Sequence, residues 1–132
     1  TGNHEISIYV VCNYAQPTVH LKRYTLRLDG FASVQASYDG GEMRTKPLIF
    51  VGKQLRVNFA TSAVGSIRAE LQDSAGKPIP GFTLADCREV MGNEIERVVA
   101  WEKGDDLSAL AGQAIRVRFS LKDADLYALR FQ

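Results

Sequence analysis

Histidine and cysteine are scarce in this chain, with two of each among 132 residues. His4 and His20 have no second ligand at the three- or four-residue spacing of a helical metal site. Cys12 and Cys87 lie far apart and fit no metal-ligand pattern. They can pair in an oxidising compartment, closing a long loop, or sit apart as small apolar thiols, which is the simpler reading. No G-x-S-x-G elbow, phosphate-cradling glycine loop or adjacent Cys-His pair is present. No run approaches the roughly 18 apolar residues of a membrane span. Sixteen Lys and Arg against fifteen Asp and Glu leave a net charge of +1. No overall field therefore draws the chain to nucleic acid or to an anionic membrane, and neither is an expected partner. The charged and apolar regions of a secretory signal are missing too, since Thr1-Gly2-Asn3 leads directly into apolar alternation. The expectation is a chain whose signal has been removed, or a piece of a longer protein.

What is present is the composition of a folded domain. Apolar residues make up 45% and charged residues 23%, so disorder and low complexity are excluded. A chain of this length buries roughly two-thirds of its unfolded surface without metal or disulfide support. Period-two alternation dominates: Tyr24, Leu26 and Leu28; Leu55, Val57 and Phe59; Ile67, Ala69 and Leu71; Ile115, Val117, Phe119 and Leu121; Tyr127, Leu129 and Phe131. A strand sorts such a pattern to core and solvent, whereas a helix would mix the two. Asp29-Gly30, Asp39-Gly40-Gly41, Val51-Gly52-Lys53, Ser74-Ala75-Gly76-Lys77 and Lys103-Gly104-Asp105 supply turns. Lys77-Pro78-Ile79-Pro80-Gly81 reads as an extended excursion at a sheet edge, because its prolines lack the ladder donor. Only residues 84–91 and 106–110 suit short helical turns, with Asp86 and Ser108 as caps. The predicted fold is all-β, an antiparallel two-sheet β-sandwich of jelly-roll-like type. Residues 1–28 hold two strands around an irregular loop after Cys12, and Asp29-Gly30 marks the boundary to residues 29–132.

Candidate chemistry is sparse. Asp123 and Asp125 form the tightest acid pair, and their place between two patterned strands reads as a hairpin turn before catalysis or calcium binding. No cofactor is called for, and a structural calcium ion is left open. Arg56, Arg68, Arg116 and Arg118 fall in the solvent phase of their strands, with Arg130 a further outward candidate. Aligned in one sheet, they would form a basic stripe of fork-shaped donors for carboxylate or sulfate groups. The plainer alternative is a solvated face neutralised by Glu70, Glu94 and Glu96; a third use is docking against a neighbouring domain. Tyr38 and Tyr14 are exposed aromatic candidates for a sugar face, whereas Trp101 shares its phase with Ile95 and Val99 and reads as core.

Arg23-Tyr24-Thr25-Leu26-Arg27-Leu28-Asp29-Gly30-Phe31, Thr45-Lys46-Pro47-Leu48, Thr61-Ser62-Ala63-Val64-Gly65-Ser66-Ile67-Arg68 and Gly76-Lys77-Pro78-Ile79-Pro80-Gly81-Phe82 follow one another in order. With Asp86-Cys87, Glu94-Ile95-Glu96-Arg97 and Leu121-Lys122-Asp123-Ala124-Asp125-Leu126-Tyr127, they resemble a bacterial C-terminal module found after five-bladed β-propellers similar to glycoside hydrolase families 32 and 43. The resemblance implies that residues 1–28 are terminal strands and linker of an upstream propeller, and that 29–132 are the appended C-terminal sandwich. It implies a secreted or periplasmic, non-catalytic accessory domain, because the propeller's catalytic carboxylates have no counterpart here. Such a domain would stabilise the propeller or weakly bind polysaccharide, with Arg56, Arg68, Arg116, Arg118 and Tyr38 as the candidate glycan contacts. The alternatives are a structural interaction domain docking through the arginine face and, last, a standalone hydrolase. That last reading needs two acids roughly 5 to 9 Å apart, one with a raised pKa.

Overall fold

A computed structural model describes residues 4–132; Thr1, Gly2 and Asn3, the lead-in to the first strand, lie outside the described residues. The chain is all-β and sandwich-like, with two antiparallel sheets. It divides into two compact units, Thr1–Ala32 and Ser33–Gln132. Among the described residues, no helix is long and apolar enough to cross a membrane.

The first unit is a hairpin of β1 (Glu5–Cys12) and β2 (His20–Arg27), paired from Glu5↔Arg27 to Cys12↔His20. Alternation gives it two unlike faces. Ile6, Ile8, Val10 and Cys12 share one with Leu26 and Tyr24. The other carries the Arg23–Glu5 ion pair at 3.5 Å and an Arg23 hydrogen bond to Ser7 at 3.1 Å. None of the described residues of this unit is fully buried.

The second unit is built on a ribbon of two long strands, β6 (Leu55–Asp73) and β8 (Ala114–Phe131), paired from Leu55↔Phe131 to Asp73↔Ile115. Along the free edge of β8 run three short strands in succession: β3 (Val34–Ala36), β4 (Gly41–Arg44) and β5 (Leu48–Ile49). The free edge of β6 is covered first by β7 (Asn93–Val98) and then by bridges from Val90 and Pro78. The Pro-Ile-Pro excursion indeed lies on that edge, where Ile79 donates its N–H to the Leu71 carbonyl at 2.9 Å.

Asp123 and Asp125 do not form a hairpin turn: β8 runs unbroken past them, and the two predicted strands are one. The local signal is a bulge. Residues 62–65 of β6 face Asp123 alone, and Asp123 has φ +42°. One residue out of step inverts the side-chain phase of β8, so Ile115, Val117, Phe119 and Leu121 are buried before the bulge and Ala124 and Leu126 after it. Gly65 permits the close approach, since a Cβ there would lie 2.7 Å from the Lys122 carbonyl oxygen and nearer still to that of Asp123. Both halves of the bent ribbon feed one core, with Leu55, Val57 and Phe59 from the first half of β6 and Ile67, Ala69 and Leu71 from the second.

Trp101 is fully buried, donates Nε1–H to the Ala69 carbonyl at 3.0 Å and meets Phe82 edge-on at 5.3 Å. Residues 84–91 make a turn and β-bridges, not a helix. Thr83 caps that turn: its hydroxyl and the Asp86 carboxylate hydrogen-bond at 2.7 Å, and Asp86 also accepts the Thr83 N–H at 3.3 Å. The only helical turn among the described residues is 3₁₀, Ser108–Leu110; Leu107 holds its N-cap position without a side-chain bond, and Asp106 just before it accepts the Ser108 N–H at 2.9 Å, so Ser108 is not the cap. Both cysteines are free thiols, Cys87 buried and Cys12 partly so. Burial pushes the Cys87 thiol pKa up.

Candidate functional site

Pairing distributes the outward arginines over two patches rather than one stripe. On the half of the ribbon beyond the bulge, Arg68 stands opposite Ser120, Arg118 opposite Glu70 and Arg116 opposite Gln72. Arg56 and Arg130 pair with each other on the other half.

Acids answer most of these charges. Arg118 forks onto Glu42 of β4, with Nη2 at 2.6 Å and Nε at 3.2 Å, and reaches Glu70 at 3.3 Å. Arg68 pairs with Glu89 at 2.8 Å. Arg56 reaches Glu96 at 3.5 Å, and Arg130 pairs with the same carboxylate. Of the acids expected to neutralise this surface, Glu70 and Glu96 do so, whereas Glu94 pairs with Arg97. Glu42 and Glu89 came from a short strand and a loop whose place beside the arginines depends on tertiary pairing. Glu70 is the buried member, with 4% exposure. Burial alone would raise its pKa. Hydrogen bonds from Gln72 (2.7 Å), the Leu84 N–H (3.2 Å) and Arg118 outweigh that and hold the carboxyl below the usual range.

Tyr38 is exposed, as expected for a loop aromatic, but the Lys122 ammonium sits 4.3 Å from its ring centroid and covers one face. Tyr14 is the most open aromatic, on the hairpin loop.

A cleft of about 660 Å³ lies where the start of β6 meets the loop before the 3₁₀ turn, lined by Gly52, Lys53, Gln54, Arg56, Asp105, Asp106 and Gln132. Of the predicted site residues, Arg56 is the one in its wall. A hydrogen-bonded chain fixes the polar groups: Arg56 donates to Gln54 Oε1 at 3.2 Å, and Gln54 Nε2 donates to Asp105 at 2.8 Å. Hydrogen bonds from Ser108, with the Lys53 charge adding, hold the Asp106 carboxyl below its usual pKa. Two cations face two carboxylates across this lining, so it offers donors and acceptors without a strong net charge. In sequence, Val51-Gly52-Lys53 reads only as a turn, and no local signal joins it to Asp105.

The two carboxyls whose proton affinity is displaced, Glu70 and Asp106, both move downward, opposite to what a general acid needs. Among the described residues, no group of three or more His, Cys, Asp or Glu side chains could hold a metal ion. No protein-family model matches this chain, no curated protein matches its sequence, and no solved structure matches its fold.

Proposed function

We propose that this chain is a non-catalytic accessory β-sandwich of a secreted or periplasmic, glycoside-hydrolase-like protein, where it holds glycan weakly and braces the neighbouring propeller. The observation that carries the glycan reading is the cleft. Arg56, Lys53 and Gln54 present N–H donors, and Asp105 and Asp106 present acceptors, around a volume suited to one or two sugar rings. Sugar hydroxyls both donate and accept, so a charge-balanced lining of this kind suits a neutral glycan. It has no aromatic wall, which is why the affinity is placed at the weak end.

The test is a nuclear magnetic resonance titration with neutral oligosaccharides. Shifts confined to residues 52–56 and 105–106, reduced in Arg56→Ala and Asp105→Ala, are the expected result. A spectrum unmoved by neutral oligosaccharides at high millimolar concentration would remove the cleft reading.

A docking role is favoured by a separate observation. The hairpin face of Ile6, Ile8, Val10 and Tyr24 leaves Ile8 and Val10 about 40% exposed, and a lone two-stranded ribbon is marginal in water. This suits terminal strands that complete a larger domain.

A further inference from the structure

On a face where the other arginines are matched by carboxylates, Arg44 and Arg116 meet at one turn, and neither makes an ion pair among the described residues. Arg44 lies directly across β4–β8 from Arg118, and Arg116 is two residues along β8 on the same face. Arg118 engages Glu42 and Glu70, and neither of those acids pairs with Arg44 or Arg116. Arg116 commits its Nε–H to the Ser74 carbonyl at 3.1 Å and keeps its two terminal nitrogens. Arg44 makes no ion pair among the described residues.

The turn they meet is pre-organised. Asp73 Oδ1 accepts the Ala75 and Lys77 N–H groups, each at 2.9 Å, and the Asp73 carbonyl accepts the Gly76 N–H at 3.0 Å. Gly76 sits at φ +89°, and its missing side chain leaves a niche: a Cβ there would lie 3.7 Å from Arg44 Nη1 and 3.9 Å from Gln72 Oε1. That oxygen is the second, independent observation. Gln72 is 2% exposed, its amide nitrogen is tied to Glu70 at 2.7 Å, and Oε1 is left without a hydrogen-bond partner. Flipping the amide would turn its oxygen toward a carboxylate, so the orientation is held. A buried acceptor is costly to leave unmade, and this one borders the niche between free donors.

We propose that Arg44, Arg116, Gln72 and the 73–77 turn form a binding site for a hydroxy-carboxylate of the uronate class. The Arg44 side chain, which is exposed, turns outward from the niche to take the carboxylate together with Arg116, and a neighbouring ligand hydroxyl donates to Gln72 Oε1 in the space so opened. Guanidinium offers no acceptor and the Gln72 oxygen offers no proton, so the site asks for an anion and a donor in one molecule. The site lies apart from the cleft residues and does not depend on the cleft's glycan reading.

The probes are galacturonate, galactose and acetate, titrated into the isotope-labelled chain at low and at physiological salt. Galacturonate is expected to shift the amides of residues 74–77 and the Arg44 and Arg116 Nε resonances, more strongly at low salt. Arg44→Ala and Arg116→Ala should each weaken it about tenfold, the scale of one lost charge-assisted contact. Gln72→Met should bring galacturonate down to the level of acetate. The proposal is overturned if galacturonate leaves the turn unmoved, if galactose binds there equally well, or if acetate matches galacturonate in the unaltered chain. That last comparison needs no variant, so a Gln72→Met chain that fails to fold leaves the test intact.

Discussion

Replacing Gly65 by alanine puts a methyl carbon 2.7 Å from the Lys122 carbonyl oxygen, with the Asp123 carbonyl closer still. Both obstacles are backbone, so no side-chain rotation relieves them. The 62–65 segment must move away from β8, which strains the Ser66↔Lys122 pairing and the Asp123 N–H bond to the Ser37 carbonyl, 2.9 Å long. Overpacking against fixed backbone costs about 3 kcal/mol. In a unit of this size that lowers the unfolding midpoint by about 12 °C, at roughly 4 °C per kcal/mol. The control is Gly41→Ala, where the added carbon meets only the Ala36 methyl at 3.5 Å, an ordinary contact. Alanine costs less entropy than glycine in a strand, so that variant should be neutral or slightly stabilised, by at most about 1 kcal/mol. Trp101, the single tryptophan and fully buried, reports both unfolding curves by fluorescence in urea. A Gly65→Ala chain within about 0.5 kcal/mol of the parent would refute the argument that this approach holds the bulge.

Two further outcomes follow from ionisable groups. Because the Glu70 carboxyl is held below the usual range, its share of stability is whole above the ordinary glutamate value of 4.5 and is lost as pH falls through its lower, folded-state value; urea midpoints of the parent and Glu70→Gln, measured between neutral and acid pH, should converge at the acid end. Cys87 is buried with a raised thiol pKa, whereas Cys12 is partly exposed on the hairpin. Iodoacetamide should therefore label Cys12 in the native chain and reach Cys87 only on unfolding, and mass spectrometry of digested peptides reads which has reacted.

Period-two alternation made the strands legible, and with them the core: Leu55, Val57, Phe59, Ile115, Val117 and Phe119 are all buried as their phase requires. Trp101 likewise followed from its phase with Val99. The Asp123-Ala124-Asp125 segment misled because a positive-φ aspartate serves a bulge as well as a turn. What decides between them is whether the partner strand continues, and that partner, residues 61–66, is remote in sequence. The arginines were placed correctly in the solvent phase, yet alternation along single strands carries no information about which acids lie across from them. Glu42 and Glu89 reach Arg118 and Arg68 from elements whose position is set only when the whole sheet assembles. The niche at Gly76 was invisible for the same reason, since Arg44, Gln72 and Arg116 come from three strands.

The ribbon of β6 and β8 has a consequence for how the chain reaches this state. Leu55 must find Phe131, and residues 74–113 lie between the two strands at their nearest approach in sequence. Every ladder bond between β6 and β8 thus closes a long loop before it yields stabilisation, and β3, β4 and β5 also wait for β8. Such high contact order places folding in the millisecond-to-second range. During synthesis the apolar face of β6 emerges well before the strand that completes it, so the interval before residues 114–131 arrive is when this chain is most exposed to edge-to-edge aggregation.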